Sequence, residues 1–566
     1  MARTVEEGTE QLIIPSIGLF SIADYLDRNG FRVAIDNIGA RVVADKSFEL
    51  AKYIDTINAR VCGISLHWLA HAHGAIHLAK LCKEKHPDSI IVLGGLTATI
   101  FHYEIISKYK FIDLVIRGEG EEPFLALMKS VDASRLSTGI PGSTWRSGDK
   151  IVVEPSAPSL KDLDEYEFTR IDLVQPRHWF FPTGGSPNVP YWQLPVSRGC
   201  SYNCATCGGS SYSYKRYLGR NRPTFRSPAK LVEDLRRLRE QGIRAVFLFQ
   251  DPRMGGRRYW EDLLGEFKRE GIAVDHITME LFMPADEDYI RRISQLDVSV
   301  SLTISPESGS EEVRRRQGRY YSNESLFRTI SICRKYDLPL LVFFMVALGY
   351  EDQMTIHETW RVWEKIHGVQ RGLGGVGFGP MIVLDPGSRA FDDPRAHGYR
   401  IVYKNLEDHV KAFSLPSWHQ WLNYETVKLD RRMVANLILD SLERLIHIRE
   451  KYGIYDRTTA FRERFLVRLN RLILSEVDSA MSLDEGARGA KIAEIYERVK
   501  GYIDKLDSGE RARARATGAR GMRGCLKAAR PPQAQQLLRV PVQYQLLLPV
   551  RYRRGPYRRQ VVPDAF

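Results

Sequence analysis

The sequence predicts an α/β protein: a doubly wound open sheet first, a partial barrel of six parallel strands next, then a helical region. Three observations carry this. Between residues 15 and 127, short apolar runs ending on glycine alternate with segments of helical period. From Tyr191 to about residue 390 the alternation returns with six further strand candidates. Residues 405–505 then keep helical periodicity, clearest in "DRRMVANLILDSLERLIHIREKYG".

Each element follows from local pattern. "IGLFSIADYLDRNG" places apolar residues on one helical face and stops at Gly30. "FRVAIDNIG", "ARVCGISL", "SIIVLGG" and "DLVIRGEGEE" read as strands, with "HGAIHLAKLCKEKHP" a helix between them. The glycines at the strand ends suggest a parallel sheet whose ligand sits over the carboxyl edge. Residues 140–190 are turn-rich and read as a linker. The six later strands are "YWQLPVS", "AVFLFQD", "DHITMEL", "VSVSLTIS", "LPLLVFFMVA" and "VGFGPMIV". Amphipathic stretches such as "SPAKLVEDLRRLREQG" and "EDYIRRISQL" separate them. The expected divisions are 1–139, 140–190, 191–400, 401–506 and a basic tail, 507–566.

Charge is concentrated. The net charge is +13, but residues 508–566 hold 13 Arg or Lys against 2 acids and so account for +11 of it. The remainder is close to neutral, which argues against a broad nucleic-acid-binding surface. The tail lacks core periodicity and is expected to be disordered, with RNA or a membrane surface as the functional alternative. No run of about 18 apolar residues occurs, so no membrane span is expected. "MARTVEEGTE" has no signal-like apolar region, and seven cysteines in 566 residues do not make a disulfide framework. A cytoplasmic, reducing setting is expected.

Three of those seven, Cys200, Cys204 and Cys207, fall within eight positions of "SRGCSYNCATCGGS". Thiolates are soft ligands that suit iron–sulfur clusters and zinc. A structural zinc site takes four protein ligands, and the loop offers three; the nearest upstream histidine, His178, lies in the linker. A 4Fe-4S cluster held by three cysteines leaves one iron open to a substrate or cofactor. Zinc or a structural cluster in a non-enzymatic, RNA-contacting protein is the alternative. Cys62, Cys82 and Cys333 lie in apolar patterns and read as core residues, and Cys525 lies in the tail.

A C-x3-C-x2-C loop after the first strand of a partial, TIM-like (β/α)6 barrel resembles the signature of radical S-adenosylmethionine (radical SAM) enzymes. The resemblance covers about residues 191–400. By resemblance, Gly208 and Gly209 let backbone approach the bound S-adenosylmethionine. "FLFQDP" gives Gln250 and Asp251 near its methionine amino end. "TISPESGSEEVRR" resembles the fourth-strand motif, with Glu307 and Ser308 as ribose or methionine contacts. "FMVALGYEDQ" resembles the fifth-strand motif, with Gly349 at the close approach to adenine, and "VLDPGSRAF" resembles the sixth-strand end. One departure is Thr206, at a position where an aromatic residue often packs near adenine.

The N-terminal part resembles the Rossmann-like, cobalamin-binding domain that precedes this barrel in one large subclass. Ser65, Trp68, Gly94, Gly95, Thr97, Gly118, Glu119 and Gly120 would then line cobalamin or the domain interface. "IPGSTWRSGDKIV" resembles the hairpin that joins the two domains. The D-x-H-x-x-G motif that gives cobalt a histidine is absent; "HAHG" has no aspartate, and His71 and His73 read as helix-start residues. The family opens with a strand and loop ahead of "PSIGLF", whereas only about a dozen residues precede it here, so the first strand is expected to be missing.

The resemblance implies an enzyme that uses a 4Fe-4S cluster and S-adenosylmethionine to make a 5′-deoxyadenosyl radical. With cobalamin, it implies methyl transfer to an unactivated carbon, or a radical cyclisation or rearrangement. A flavodoxin or ferredoxin would supply electrons. A small-molecule, lipid or peptide substrate is expected, and no specific nucleic acid. No catalytic acid or base can be named from the sequence. Trp418, Trp421 and Tyr424, in the most aromatic stretch of the helical region, are expected to pack in its core rather than line substrate.

Overall fold

A computed structural model of the protein describes residues 16–45, 47–132, 139–175, 191–380, 383–516 and 546–552. His178, Cys525 and most of the linker's second half and of the tail lie outside these residues. The strands, in chain order, are β1 Phe31–Val33, β2 Asp36–Asn37, β3 Val61–Ser65, β4 Ile90–Gly94, β5 Leu114–Ile116, β6 Ser143–Ser147 and β7 Lys150–Val153. There follow β8 Tyr191–Pro195, β9 Ser197–Arg198, β10 Thr224–Phe225, β11 Ala245–Phe249, β12 His276–Leu281, β13 Ser299–Glu307, β14 Leu340–Val346 and β15 Gly375–Pro380. The last are β16 Tyr399–Ile401, β17 Tyr424–Thr426 and β18 Leu546–Tyr552.

The first sheet runs β1-β18-β3-β4-β5-β6-β7. The parallel pairings are β3–β4 and β4–β5; β6 returns antiparallel on β5 and pairs with β7 as a hairpin. The expected all-parallel sheet is therefore mixed, and the linker begins as two of its strands. The helix Gly18–Arg28 lays Leu19, Phe20, Ala23 and Leu26 on the core. It ends where the Asn29 amide bonds back to Tyr25 and Leu26 and Gly30 takes φ 91°, a left-handed stop open to glycine.

The tail corrects two expectations. Residues 546–552 form a strand rather than disordered chain, antiparallel to both β1 and β3. They occupy a position between two strands that would otherwise show each other bare edges. The helix Glu485–Ala516 also runs through the expected boundary at 506. "LLLPVRY" was hidden by its Arg-, Gly- and Pro-rich flanks, which dominate any composition window around it.

The six later strands pair in the order β15-β14-β13-β12-β11-β8, all parallel. Ser227 caps the helix Pro228–Glu240 and Asp286 caps Glu287–Ser294, each side chain accepting a backbone N–H in the first turn. The strand residues turned toward the helices, including Val246, Leu248, Ile277, Met279, Leu302, Val342 and Phe378, are buried. One apolar cluster joins Phe20 of the first helix to Trp192 of β8, whose rings meet edge to face at 4.9 Å. Trp418, Trp421 and Tyr424 are buried in the C-terminal part, as core residues. Cys62, Cys82 and Cys333 are buried as well. No helix among the described residues is long and apolar enough to cross a membrane.

Candidate active site

The cysteine loop leaves the carboxyl end of β8 and is pinned from several sides by backbone. The Ala205 amide donates to the Gln317 carbonyl at 2.9 Å, and its carbonyl accepts from Ala390 at 2.8 Å. The Gly208 amide donates to Asp385 Oδ2 at 3.0 Å, and Ser213 Oγ donates to the Gly387 carbonyl at 2.7 Å. A Cβ at Gly318 would lie 2.8 Å from the Asn203 carbonyl, so the loop after β13 packs directly on the cysteine loop. Segments from the fourth and sixth barrel units thus hold the three thiols in place.

The thiols are free; Cys200 and Cys204 are half-buried, and Cys207 is exposed. Burial pushes Cys200 up to about 11 and raises Cys204 as well. Backbone N–H groups of Tyr202 and Gly209 point at Cys200 Sγ and Cys207 Sγ, each at 3.3 Å. Such donors stabilise thiolate bound to metal. Three soft ligands with N–H donors on two of the sulfurs fit an iron–sulfur cluster.

Three barrel strands end in left-handed, non-glycine residues: Gln250 after β11 (φ 77°), Glu307 on β13 (φ 68°) and Ala347 after β14 (φ 62°). Such strain collects where side chains must be re-aimed. At β13 the register shifts between Ile304 and Glu307, and the bulge turns Glu307. Glu307 is 8% exposed; its Oε1 accepts from Arg319 at 2.5 Å, while its buried Oε2 has no partner among the described residues. That oxygen fits a hydroxyl or ammonium donor of a bound ligand. Ser308 is held inside the fold, its hydroxyl shared with Thr359 at 3.2 Å and accepting from the Ser310 amide at 3.1 Å.

Gln250 and Asp251 serve the scaffold. Gln250 Oε1 accepts from the Ser197 amide (3.1 Å) and hydroxyl (2.9 Å), and its Nε2 donates to the Gly199 carbonyl. Asp251 is fully buried, paired with Arg253 at 2.6 Å and accepting from the Phe282 amide at 2.8 Å. Gly349 is required by packing, since a Cβ there would overlap the His397 carbonyl oxygen. Gly208 is equally tight, its missing Cβ lying 3.0 Å from Asp385 Cβ and 3.3 Å from Leu96 Cδ2. A Cβ at Gly209 would lie 3.7 Å from Cys207 Sγ, in ordinary contact.

Leu96 brings the first sheet to this site. It begins the short helix after β4, beside the Gly94–Gly95 turn, and Ile100 from that helix packs by Gly387. Gly95 takes φ 106°, and a Cβ there would lie 2.8 Å from the His67 backbone, so both the angle and the space require glycine. Thr97 donates to the His67 carbonyl at 2.9 Å, and Ser65 Oγ meets Ser16 Oγ at 2.9 Å. Burial holds His67 neutral, down to about 4, and its ring sits edge-on to Trp68 at 4.8 Å. Trp68 keeps 48% of its surface exposed at this carboxyl edge, and Gly118 (φ 76°) has open space where a Cβ would stand. An exposed aromatic slab and open backbone, after strands of the same carboxyl edge, fit a large flat cofactor. A Cβ at Gly120 would press on Ile22 at 2.9 Å. His71 closes a short 3-10 turn and His73 opens the helix Ala72–Lys85, as expected of helix-start residues.

Glu119 belongs to the seam between the two halves. Arg220 forks onto it at 2.7 and 3.0 Å, and Arg198 Nη1 lies 3.6 Å away. Arg198, two residues before Cys200, also pairs with buried Glu121 at 2.7 Å. Burial alone would raise Glu121, but Arg198 outweighs it and holds the carboxyl below its usual range. Arg198, Arg220, Arg319, Asp385 and Glu280 escaped the sequence reading. Glu280 accepts from the Gln250 amide at 2.5 Å and is pushed by burial to about 7. It was the only acid within the strand run "HITMEL", which was its one visible signal.

Comparison with known proteins agrees with this arrangement. The B12 binding domain family matches residues 8–128, and the Radical SAM superfamily matches residues 194–361. An uncharacterized methyltransferase of Pyrococcus horikoshii is 23% identical over 354 residues, 62% of this chain and 73% of that protein. An anaerobic magnesium-protoporphyrin IX monomethyl ester cyclase of Cereibacter sphaeroides is 23% identical over 360 residues; the match spans 61% of this chain and about half (55%) of the cyclase. Among solved structures, the cobalamin-dependent S-adenosylmethionine radical enzyme OxsB with aqua-cobalamin bound shares the fold, with TM-score 0.53 over 92% of this chain and 82% of that one at 11% identity. With both domain matches in sequence and the three-thiol loop between the two sheets, the chain belongs to the radical SAM enzymes that carry a B12-binding domain ahead of the barrel.

Proposed function

We propose that this protein cleaves S-adenosylmethionine reductively and, with cobalamin, transfers a methyl group to an unactivated carbon of a small-molecule substrate. The observation that carries this is the position of the thiol loop. On the barrel side the loop packs at Asn203 on Gly318, next to Arg319 and its partner Glu307, and on the other side Gly208 packs against Leu96 of the B12-binding domain. When bound, the cluster supplies the electron that breaks the sulfonium bond, and cobalamin supplies the methyl group.

The chain's own residues do the rest. Cys200, Cys204 and Cys207 ligate the cluster and leave one coordination position for the methionine end of the cosubstrate. Glu307, fixed by Arg319, accepts a hydrogen bond from the cosubstrate's ammonium or ribose hydroxyl. Gln250 and Asp251 hold the cysteine loop and the β12 end in register. Trp68 and the Gly94, Gly95 and Gly118 turns receive the flat face of cobalamin, with Ser65, Thr97 and Gly120 shaping the edge. Arg198 and Arg220 lock that edge to the barrel. A low-potential donor such as flavodoxin or ferredoxin supplies the electrons, in a cytoplasmic setting.

Cyclisation without methyl transfer is the second reading, favoured by the similarity to the Cereibacter cyclase. The two separate on one experiment. Anaerobic enzyme is reconstituted with iron, sulfide and cobalamin, then incubated with extract metabolites and S-adenosylmethionine carrying a deuterated methyl group. Methyl transfer predicts a product bearing the label and S-adenosylhomocysteine beside 5′-deoxyadenosine. Product formation without label would favour the cyclase reading.

A further inference from the structure

The barrel is built inside out relative to a closed one. Its helix-facing strand residues are apolar and buried, whereas the lumen-facing ones are partly exposed throughout β12, β13 and β14. Eight-stranded barrels fill their centre with bulky side chains. Here β15 contributes glycine at each lumen position, Gly375, Gly377 and Gly379, paired with Leu341, Phe343 and Met345 of β14. A Cβ at Gly377 or Gly379 would press on the Phe343 ring at 2.8 or 2.9 Å. One wall is therefore an apolar slab laid against bare backbone, and Leu341 keeps 45% of its surface exposed.

The adjoining wall, from the amino-terminal halves of β12 and β13, is polar and uncharged. His276 Nδ1 meets Ser299 Oγ at 2.9 Å, and Nε2 meets Ser301 Oγ at 3.0 Å. Thr278 Oγ1 joins Ser301 Oγ at 3.0 Å. These four sit at the amino-terminal end of β12 and β13, in register with one another. Burial lowers His276 and so keeps the imidazole neutral at neutral pH. Further along the same face of β12 stands Glu280, on the cluster side. The four-residue separation from His276 to Glu280 corresponds to ~13 Å along the strand.

Resting on the function proposed above, we propose which class of substrate the barrel lumen accepts. It takes an elongated, largely apolar, uncharged molecule that carries a hydroxyl or carbonyl at the end remote from the cluster. The apolar slab of β14 takes the body of the molecule. The hydroxyl–imidazole quartet takes the distal polar group, for which it offers both donors and acceptors. Among the described residues β12 and β13 bring no lysine or arginine to this wall, so a distal carboxylate or phosphate would lose its hydration without a counter-charge.

The test uses the full-length, cluster-loaded protein and two probes of matched length, 1-decanol and decanoate, followed by calorimetry or ligand-observed NMR. The alcohol is expected to bind, and the carboxylate at least tenfold more weakly. His276→Phe, which keeps the ring volume, is expected to weaken 1-decanol about tenfold, the loss of one hydrogen bond. Leu341→Trp, which places a bulky ring in exposed space, is expected to weaken it tenfold or more, with cluster absorbance reporting intact folding. Equal binding of the two probes, no binding of 1-decanol, or wild-type binding by both variants would overturn the proposal. Release of 5′-deoxyadenosine on reduction, measured alongside, tests the enzymatic reading separately.

Discussion

Arg198→Met tests how the cysteine loop is coupled to the B12-binding domain. The guanidinium bonds Glu121 at 2.7 Å, lies 3.6 Å from Glu119, and sits over the Phe168 ring at 5.8 Å. Glu121 is 2% exposed, and once Arg198 is gone it retains the Ser21 hydroxyl at 2.6 Å. Removing one partner of a buried ion pair costs about 3–5 kcal/mol, chiefly because the other charge stays buried. Glu119 remains paired with Arg220, so the loss falls on Glu121. The double variant Arg198→Met/Glu121→Gln removes that stranded charge and should recover roughly 2 kcal/mol or more, a coupling far above the additivity error for distant sites. Urea unfolding of the two single variants and the double variant, with cluster absorbance as a second probe, measures it. A single-variant loss below about 1 kcal/mol, or additive behaviour, would refute the argument that this pair ties the halves together.

Further outcomes follow from the same structure. Glu351 is buried, accepts from the Ala347 amide at 2.6 Å and is pushed by burial to about 8. A carboxyl raised above its unfolded value stabilises below that value and loses the contribution as pH rises through the folded one. Stability should therefore fall by up to ~1.4 kcal/mol per pH unit between ~4.5 and 8. Glu351→Gln should flatten that slope in denaturant titrations at several pH values. Gly349→Ala must displace the 397–399 segment or the β14 end, so a loss of roughly 2–4 kcal/mol and a lower Tm are expected. Removing residues 517–566 deletes β18 and bares β1 and β3; amide exchange at residues 61–64 should rise by tenfold or more, and unchanged protection would argue against the strand.

Much of the barrel was legible in the sequence because each strand is a short apolar run closed by a turn. The run alone does not say which face is wet. Both faces of "LPLLVFFMVA" look apolar, and only the register against glycines 375, 377 and 379 reveals that Leu341, Phe343 and Met345 face a lumen. The cysteine spacing announced the cluster loop. The groups around it did not announce themselves: Asp385 accepts from Gly208 of the loop, Arg319 fixes Glu307 and Glu280 holds the Gln250 amide, and they come from three different barrel units. Glu307 was visible through its motif, but the bulge that turns it depends on β14 pairing. Glu119 was placed by resemblance at cobalamin or the seam, and its fork with Arg220 puts it on the seam. The tail strand was invisible because its partners lie some 500 residues earlier, and pairing at that separation leaves no local signature.

The central claim is that three cysteines hold a cluster with one iron open to S-adenosylmethionine. Anaerobic reconstitution of the full chain, followed by iron counting and reduction with dithionite in the presence of S-adenosylmethionine, tests it most directly. The account predicts about four irons per chain, broad absorbance typical of an iron–sulfur cluster, and release of 5′-deoxyadenosine, with both the cluster and the cleavage lost in Cys204→Ala. Zinc in place of iron, or cleavage that persists in Cys204→Ala, would contradict it.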